Sequence, residues 1–395
     1  QPKKSFSFFA TNEDGQGERF NYPVFEDKEI EDFSGLWVRA DATSGRNVSD
    51  LWVGERFKNE LLYEVNRQMN GQVDMQAYEP VSVFLNGQYW GLYNLMERKG
   101  KDFIFNNHGE AEVDILTSSD AKAVSGNISE YDQMISYIAQ NDITQDSIYK
   151  EILNQIHVDS YIDYWVNETY CGARDISVNI RYWKSKSPDA KWRWISYDQD
   201  SWYTAQEESL KYYLDKGKVY LFERLMKNQT FRDDWINRMC DYLNKGFKAQ
   251  NVISLVDKIT GRIAIEIDRD RRRWQDSMLY VKKGERISWI KDYAVKRPEF
   301  IRKHIIDYFK LEHGVSDIQV IQNVSMGHVK INSIDIRKSF WTGKYIENIP
   351  IYIEAIPNKG YAFDKWKSKG LPQKRVITVK TKKNKKFIPI FKKIE

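Results

Sequence analysis

Residues Gly172–Tyr203, GARDISVNIRYWKSKSPDAKWRWISYDQDSWY, carry the reading that decides the fold of this chain. NIRYW and KWRWISY are aromatic and β-rich, and the SKSPDA between them holds the Pro-Asp pair expected of a turn, so the stretch predicts a β-hairpin. A hairpin returns its outer ends to one place. Asp175, just ahead of the first strand, therefore approaches Asp198 and Asp200, which close the second, and Asn179 lies between. Oxygen ligands of this kind suit a hard divalent cation such as Mg²⁺ or Mn²⁺, which takes few ligands from protein and the rest from water and phosphate. The same residue types also serve as turn and cap residues at strand ends. Spacing alone leaves both roles open.

Upstream, VSVFLNGQYWGLYNL (Val81–Leu95) alternates apolar and polar positions around Asn86-Gly87, the signature of a two-residue type I′ hairpin. Val81, Val83 and Leu85 share one face of its first strand, and Glu97 and Arg98 fall at the exit of its second. ISEYDQMISYIAQ from Ile128 and DSIYKEILNQIHVDSYIDYWVNETYCG from Asp146 have apolar residues at three and four spacing. Two packed helices are expected there, with Ile152, Ile156, Tyr161 and Trp165 in the core. The second ends near Cys171-Gly172 and delivers Asp175 just past its C-terminus. LFERLMKNQTFRDDWINRMCDYL from Leu221 and the run from Val252 to Trp274 continue as helices. Arg269, Arg271, Arg272 and Arg273 alternate with Glu266, Asp268 and Asp270, which reads as an ion-paired helix rather than a nucleic-acid patch.

With 395 residues, 41 % of them apolar and 14 % aromatic, the chain has ample core for two domains or one large one. No apolar run approaches the roughly 20 residues that span a bilayer. Two cysteines, Cys171 and Cys240, are too few for a disulfide framework and read as buried thiols. Five histidines without HExxH or clustered spacing disfavour zinc hydrolase chemistry. No HRD, DFG or complete phosphate loop is present, and GQGER at Gly15 lacks the third glycine, so ordinary kinase and P-loop readings fail. The sequence begins at Gln1 and enters directly into a strand-like segment. Upstream residues are expected to have been processed or omitted, so a secretory signal is neither visible nor excluded.

Charge marks a boundary. Residues 313–395 carry 17 Lys plus Arg against 6 Asp plus Glu, a net +11, which leaves −6 for residues 1–312. HVKIN, IPIYIEAIP, GYAFDKW, RVITVK and KFIPIFK are short strand-like pieces separated by turn residues. A basic all-β module, a small β-sandwich, is expected over 313–395. Its charge suits an anionic polymer or simply solubility. Because that charge is segregated from the Asp and Asn motifs above, the module is expected to be dispensable for chemistry but not for localisation or target capture. IPIYIEAIPNKGYAFDKW resembles the small β-repeat domains appended to secreted bacterial surface proteins.

The ordered motifs of residues 1–312 resemble the CotH kinase family, named for a bacterial spore-coat protein. The carriers are PKKSFSFFA at the start, FKNELLYEVNRQM from Phe57, VSVFLNGQYWGLYNLMERKGKDFI from Val81, and the aromatic-Asp-x-Asp of YDQD. DRDRRRWQD around Trp274 and SWIKDYAVKRPEFIRKHI from Ser288 are similar to the family's helical tail. The resemblance implies an α+β, atypical protein-kinase-like body over residues 1–312 that uses ATP and Mg²⁺ to phosphorylate Ser or Thr hydroxyls of a secreted or cell-surface bacterial protein. It makes Asp175 the catalytic carboxylate, Asp198 the principal metal ligand, and Asn179 and Asp200 auxiliary ligands. Lys3, Lys4 and Lys58 become candidate phosphate contacts, with Glu97 orienting one of them. A monomer without specific nucleic-acid binding is expected. Ile176 and Val178 stand where many members have Trp, Pro or Asn. A non-catalytic coat-assembly or glycan-binding scaffold therefore stays open as an alternative, and an adenylylating enzyme, which would use the same metal site with the nucleotide flipped, is a third.

Overall fold

A computed structural model describes residues 3–12, 17–40, 57–216, 219–274 and 283–394. Gly15 of GQGER and the end of DRDRRRWQD, Gln275-Asp276, lie outside the described residues. The chain is α+β. In order, the elements of its first part are β1 (Phe6–Phe9), β2 (Phe20–Asn21), β3 (Asp32–Phe33), β4 (Gly35–Arg39), α1 (Lys58–Met69), β5 (Asp74–Met75), β6 (Tyr78–Leu85) and β7 (Gln88–Glu97). There follow α2 (Lys101–His108), β8 (Val113–Thr117), β9 (Lys122–Ser125), α3 (Ser129–Gln140), α4 (Asp146–Leu153), α5 (Val158–Cys171), β10 (Arg181–Ser185) and β11 (Arg193–Ser196). The helices α6 (Ser209–Asp215), α7 (Tyr220–Leu225), α8 (Gln229–Asn244), α9 (Ala249–Trp274) and α10 (Lys283–Phe309) complete this part.

Two sheets organise it. The first runs β1-β4-β7-β6, antiparallel throughout, and α9 packs on β6, β7 and α1. Its hairpin turns at Asn86 and Gly87, both at positive φ as a type I′ turn requires. The second runs β5-β11-β10-β8-β9, and α5 packs on β11 and on α8. β5 joins the second sheet before β6 returns the chain to the first, and after β7 the chain leaves the first sheet again through Glu97–Gly100. A cleft of about 570 Å³ opens at that crossing, lined by Ser7 and Trp37 from the first sheet's side, Val124 and Arg181 from the second's, and Lys99 between them.

The hairpin β10–β11 forms in the register Arg181↔Ile195, Tyr182↔Trp194, Trp183↔Arg193. The helical stretch ahead of it differs from expectation: the segment from Asp146 is two helices, not one. Between them Ile156 bridges to Trp192, and His157 N donates to Trp192 O at 2.9 Å, so the backbone of Gln155–His157 serves the second sheet instead of a helix. His157 then caps α5, its Nδ1 accepting from Ser160 N at 3.2 Å. Trp165 of α5 stacks on Phe222 at 4.2 Å between centroids, and Tyr161 packs on Trp194, so aromatic contacts join helix to hairpin. Gly172 ends α5 at φ 69°, a left-handed cap that turns the chain toward Asp175.

Nine strands follow: β12 (Val315–Ile321), β13 (Gly327–Ile331), β14 (Ile334–Ile336), β15 (Phe340–Ile346), β16 (Pro350–Pro357), β17 (Tyr361–Trp366), β18 (Val376–Lys380), β19 (Lys385–Phe387) and β20 (Pro389–Lys393). They sort into sheets β15-β12-β19, β14-β13-β16-β18 and β17-β20. KFIPIFK, which reads as one strand, splits between two sheets. This unit docks on α8. Asp241, fully buried, accepts from Ser333 N (2.8 Å), Ser333 Oγ (2.6 Å) and Tyr345 Oη (2.7 Å). Asn237 donates to Pro350 O, and Asn244 both donates to Lys344 O and accepts from Lys344 N. Buried apolar residues of the helices and of these strands form one continuous cluster.

Candidate active site

The DQD segment follows β11 after Tyr197 and its turn is constrained. Asp198 sits at φ 58°, a left-handed conformation uncommon for a residue with a Cβ. Such backbone persists only where surrounding bonds over-determine it. Here they do: buried Gln199 donates from its main-chain N to Asn59 Oδ1 of α1 (2.7 Å) and from Nε2 to Glu168 Oε1 of α5 (2.7 Å), and its carbonyl accepts from Trp202 Nε1 (2.8 Å).

On either side of that anchored glutamine, Asp198 and Asp200 converge on one cation. Arg39, the last residue of β4, places Nη2 2.6 Å from Asp198 Oδ1 and 3.1 Å from Asp200 Oδ2. The guanidinium is buried and the Asp200 side chain keeps 11 % exposure, while Asp198 keeps 37 % of its side chain exposed. Lys58, at the start of α1, reaches the same turn from beneath, donating to Asp200 O at 3.0 Å with its ammonium 5.3 Å from the centre of the Trp289 ring. Asp175 stands nearby. Its carboxyl is pushed up, chiefly by burial and also by Asp198, against the pull of its own backbone and of Asn179. Asn179 is folded back by a helical turn in which Val178 N and Asn179 N both bond Asp175 O, and its Nδ2 donates to Asp175 Oδ2 at 2.7 Å. The Asn179 donor is thus committed to Asp175, and only its Oδ1 remains for a cation.

The cleft beside these carboxylates is cationic. Arg98, Lys99, Lys101 and Arg181 line it with Asp102 as counter-charge. Lys99 is held between aromatic rings, 4.6 Å from Trp37 and 4.1 Å from Tyr197, and Arg181 Nη1 bonds its carbonyl at 2.6 Å. Burial, with Arg181 and Arg39 close by, pushes the Lys99 ammonium down to about 7, and Asp198 opposes that shift. A focused positive field of this kind draws anions.

Other candidates lie elsewhere. Lys3 is enclosed, its ammonium 2.9 Å from Asp270 of α9, bonded to Leu92 O and 4.4 Å over the Tyr93 ring. A cation so enclosed does not meet a phosphate, and it fastens α9 to β7 instead. Lys4 is exposed. Glu97 orients none of Lys3, Lys4 or Lys58: it pairs with Lys28 (2.5 Å) and accepts from Asn107 Nδ2 (2.9 Å) and Ala77 N (2.8 Å), which pins the crossing between the sheets. Cys171 and Cys240 are buried free thiols.

Three site residues escaped the sequence reading. Arg39 ends the apolar strand GLWVR, Lys99 sits in the ERKG crossing, and Glu168 lies in the otherwise core-facing WVNETYC turn of α5. A lone charge in or at the end of an apolar pattern was the available signal for Arg39 and Glu168, whereas Lys99, among the charges of ERKGKD, had none. Among the described residues no three His, Cys, Asp or Glu side chains form a ready metal cluster. Mg²⁺ asks for less, since one or two carboxylates with water and phosphate complete its shell. Asp198 and Asp200, already arranged around one positive charge, fit that donor set.

Two sheets joined through a crossing segment, a cationic cleft there, and an Asp pair at its side define a protein-kinase-like architecture. The chain belongs to the CotH kinase family: the family model described as CotH kinase protein matches residues 1–301. No curated protein matches the chain. No helix among the described residues is long and apolar enough to cross a membrane.

Proposed function

We propose that the chain is an atypical kinase that transfers the γ-phosphate of ATP to Ser or Thr hydroxyls of a secreted or surface protein, with Mg²⁺ or Mn²⁺. The observation that carries this reading is the convergence of Asp198 and Asp200 on Arg39 beside a cationic cleft, with the half-buried Asp175 close to Asp198. Phosphoryl transfer asks for phosphate neutralisation and a carboxylate near the attacking hydroxyl. Asp198 and Asp200, with Asn179 Oδ1 as auxiliary, would hold the metal, which when bound draws charge from the phosphate oxygens. Arg39, Lys99 and Arg181 bind the polyphosphate. Asp175, whose raised affinity for a proton suits a base, orients the acceptor hydroxyl and accepts its proton. Lys58 supports this site through the Asp200 carbonyl rather than through phosphate.

The same guanidinium supports one other reading. A permanent Arg39 bridge would fill the metal position and leave a binding-only scaffold. Transfer of label from [γ-³²P]ATP to a Ser-rich acceptor or to the protein itself, paired with calorimetric ATP titration with and without Mg²⁺, separates the two. Neither metal-dependent binding nor transfer by the wild-type protein would leave the scaffold.

A further inference from the structure

The densest net positive charge in the chain is TKKNKK and its flanks. Lys380, Lys382, Lys383, Lys385 and Lys386 fall within seven consecutive residues. Lys380 ends β18, an edge strand of one sheet, and Lys385 opens β19, an edge strand of another. The segment between them therefore joins two sheet edges. It is anchored rather than loose: Thr381 is buried and its carbonyl accepts from Asn348 N at 2.8 Å, Asn384 Oδ1 accepts from Asp317 N at 2.8 Å, and Phe387 is fully buried. All five lysines keep solvent exposure, Lys385 the least.

Among the described residues none of the five lies within ion-pair distance of a carboxylate, although Lys380 is within electrostatic reach of Asp233 on α8. Lysines on edge strands guard against edge-to-edge aggregation. One or two suffice for that, and alternating signs would do it without self-repulsion. Five like charges fixed on one anchored turn raise the local potential, and a polyanion that displaces their counterions relieves it. The patch contains no arginine, whose planar fork would select carboxylate or phosphate by its geometry; lysines act as point charges, which reward the closest spacing of charge on the ligand, and a polyphosphate chain spaces its charges more closely than a polyuronate does. It also interleaves no exposed aromatic side chain on which a nucleobase would stack. We infer that the β18–β19 lysine turn is a docking surface for a linear phosphate-bearing polymer without bases. It is separate from the proposed kinase site and holds whether or not that site is active.

The test uses the full chain and inorganic polyphosphate as probe, with polygalacturonate and single-stranded DNA as comparators, followed by calorimetry or fluorescence anisotropy across a salt series. The wild-type protein should bind polyphosphate most tightly, with affinity falling steeply in salt. K380Q/K382Q/K383Q/K385Q/K386Q should lose about tenfold or more and flatten the salt slope. A control at Lys359, Lys365, Lys367, Lys369 and Lys374, equal in charge removed, should bind as wild type does. If the five-site variant fails to fold, K382Q/K383Q, confined to exposed turn positions, should still weaken binding and flatten the slope. Absence of wild-type binding, equal loss in the control, or tighter binding to polygalacturonate or DNA would overturn the proposal.

Discussion

Arg39 and Asp198 meet at 2.6 Å across the space between the two sheets, joining the end of β4 to the turn after β11. The same guanidinium reaches Asp200, so one cation already occupies the focus of both carboxylates. Replacing it by a neutral amide in Arg39→Gln leaves two close acidic groups without that charge. Affinity for Mn²⁺ in the absence of nucleotide is expected to rise, while ATP affinity falls about ten- to a hundredfold, the range for a lost charged hydrogen bond. Titration calorimetry of each ligand checks both. A fall in Mn²⁺ affinity would show that Arg39 assists rather than competes with the metal.

Asp198 and Asp175 should separate binding from chemistry. Asp198→Ala removes a metal ligand and uncovers phosphate charge in the ground state, so Mg²⁺-dependent ATP binding and transfer are both lost. Asp175→Ala removes a carboxylate felt mainly in the transition state, so transfer falls about 10²- to 10⁴-fold while ATP binding is spared. Calorimetry and the radiolabel assay report the two quantities independently. Equal effects of both variants on binding would remove the distinction of roles.

The hairpin, its Asp residues and the Asn-Gly turn were legible because period-two patterning and turn chemistry are local. So was the end of α5 at Gly172, where a left-handed cap is a single-residue property. What stayed hidden depends on residues far apart in sequence. Nothing around Arg39 names Asp198, 159 positions later, as its partner. Lys3 could not be known to pair with Asp270. The helix break at Gln155–His157 arises because Trp192 recruits that backbone into the second sheet, which outweighs the helical period of the side chains. In the last part, HVKIN and its successors announced strands, but β12, β14 and β15 were missed.

The β unit should not part cleanly from the helices. Asp241 is buried on α8 and answers three donors from Ser333 and Tyr345. Asp241→Ala leaves those donors unsatisfied in the interface and is expected to cost roughly 2–4 kcal/mol. Urea unfolding should show a lower midpoint with an unchanged slope. Truncation after Glu312 would uncover the same carboxylate together with apolar surface, so the shortened protein should be less stable even if its chemistry is independent of the β unit. An Asp241→Ala midpoint equal to wild type would mean that the docking is energetically neutral.

Glu168 provides the test of pH dependence. Its carboxyl is pushed up to about 8, first by burial and then by Asp175 and Asp198, with Gln199 and Tyr164 opposing. In the unfolded chain it titrates near its ordinary value of 4.5. Between those limits the native state holds a proton that the unfolded state has released, so stability falls as pH rises through this window. Below it both states are protonated, and above it both are ionised. The size is on the order of a few kcal/mol across the window. His157, His304 and His328, all pulled below their ordinary 6.5 by burial, add the opposite slope, so the informative quantity is a difference between variants. Glu168→Gln mimics the protonated acid and keeps an oxygen for Gln199 Nε2. Relative to wild type it should gain stability progressively from pH 5 to pH 8. Urea midpoints at four pH values give the measurement, and parallel curves for the two proteins would show that Glu168 does not carry the proton.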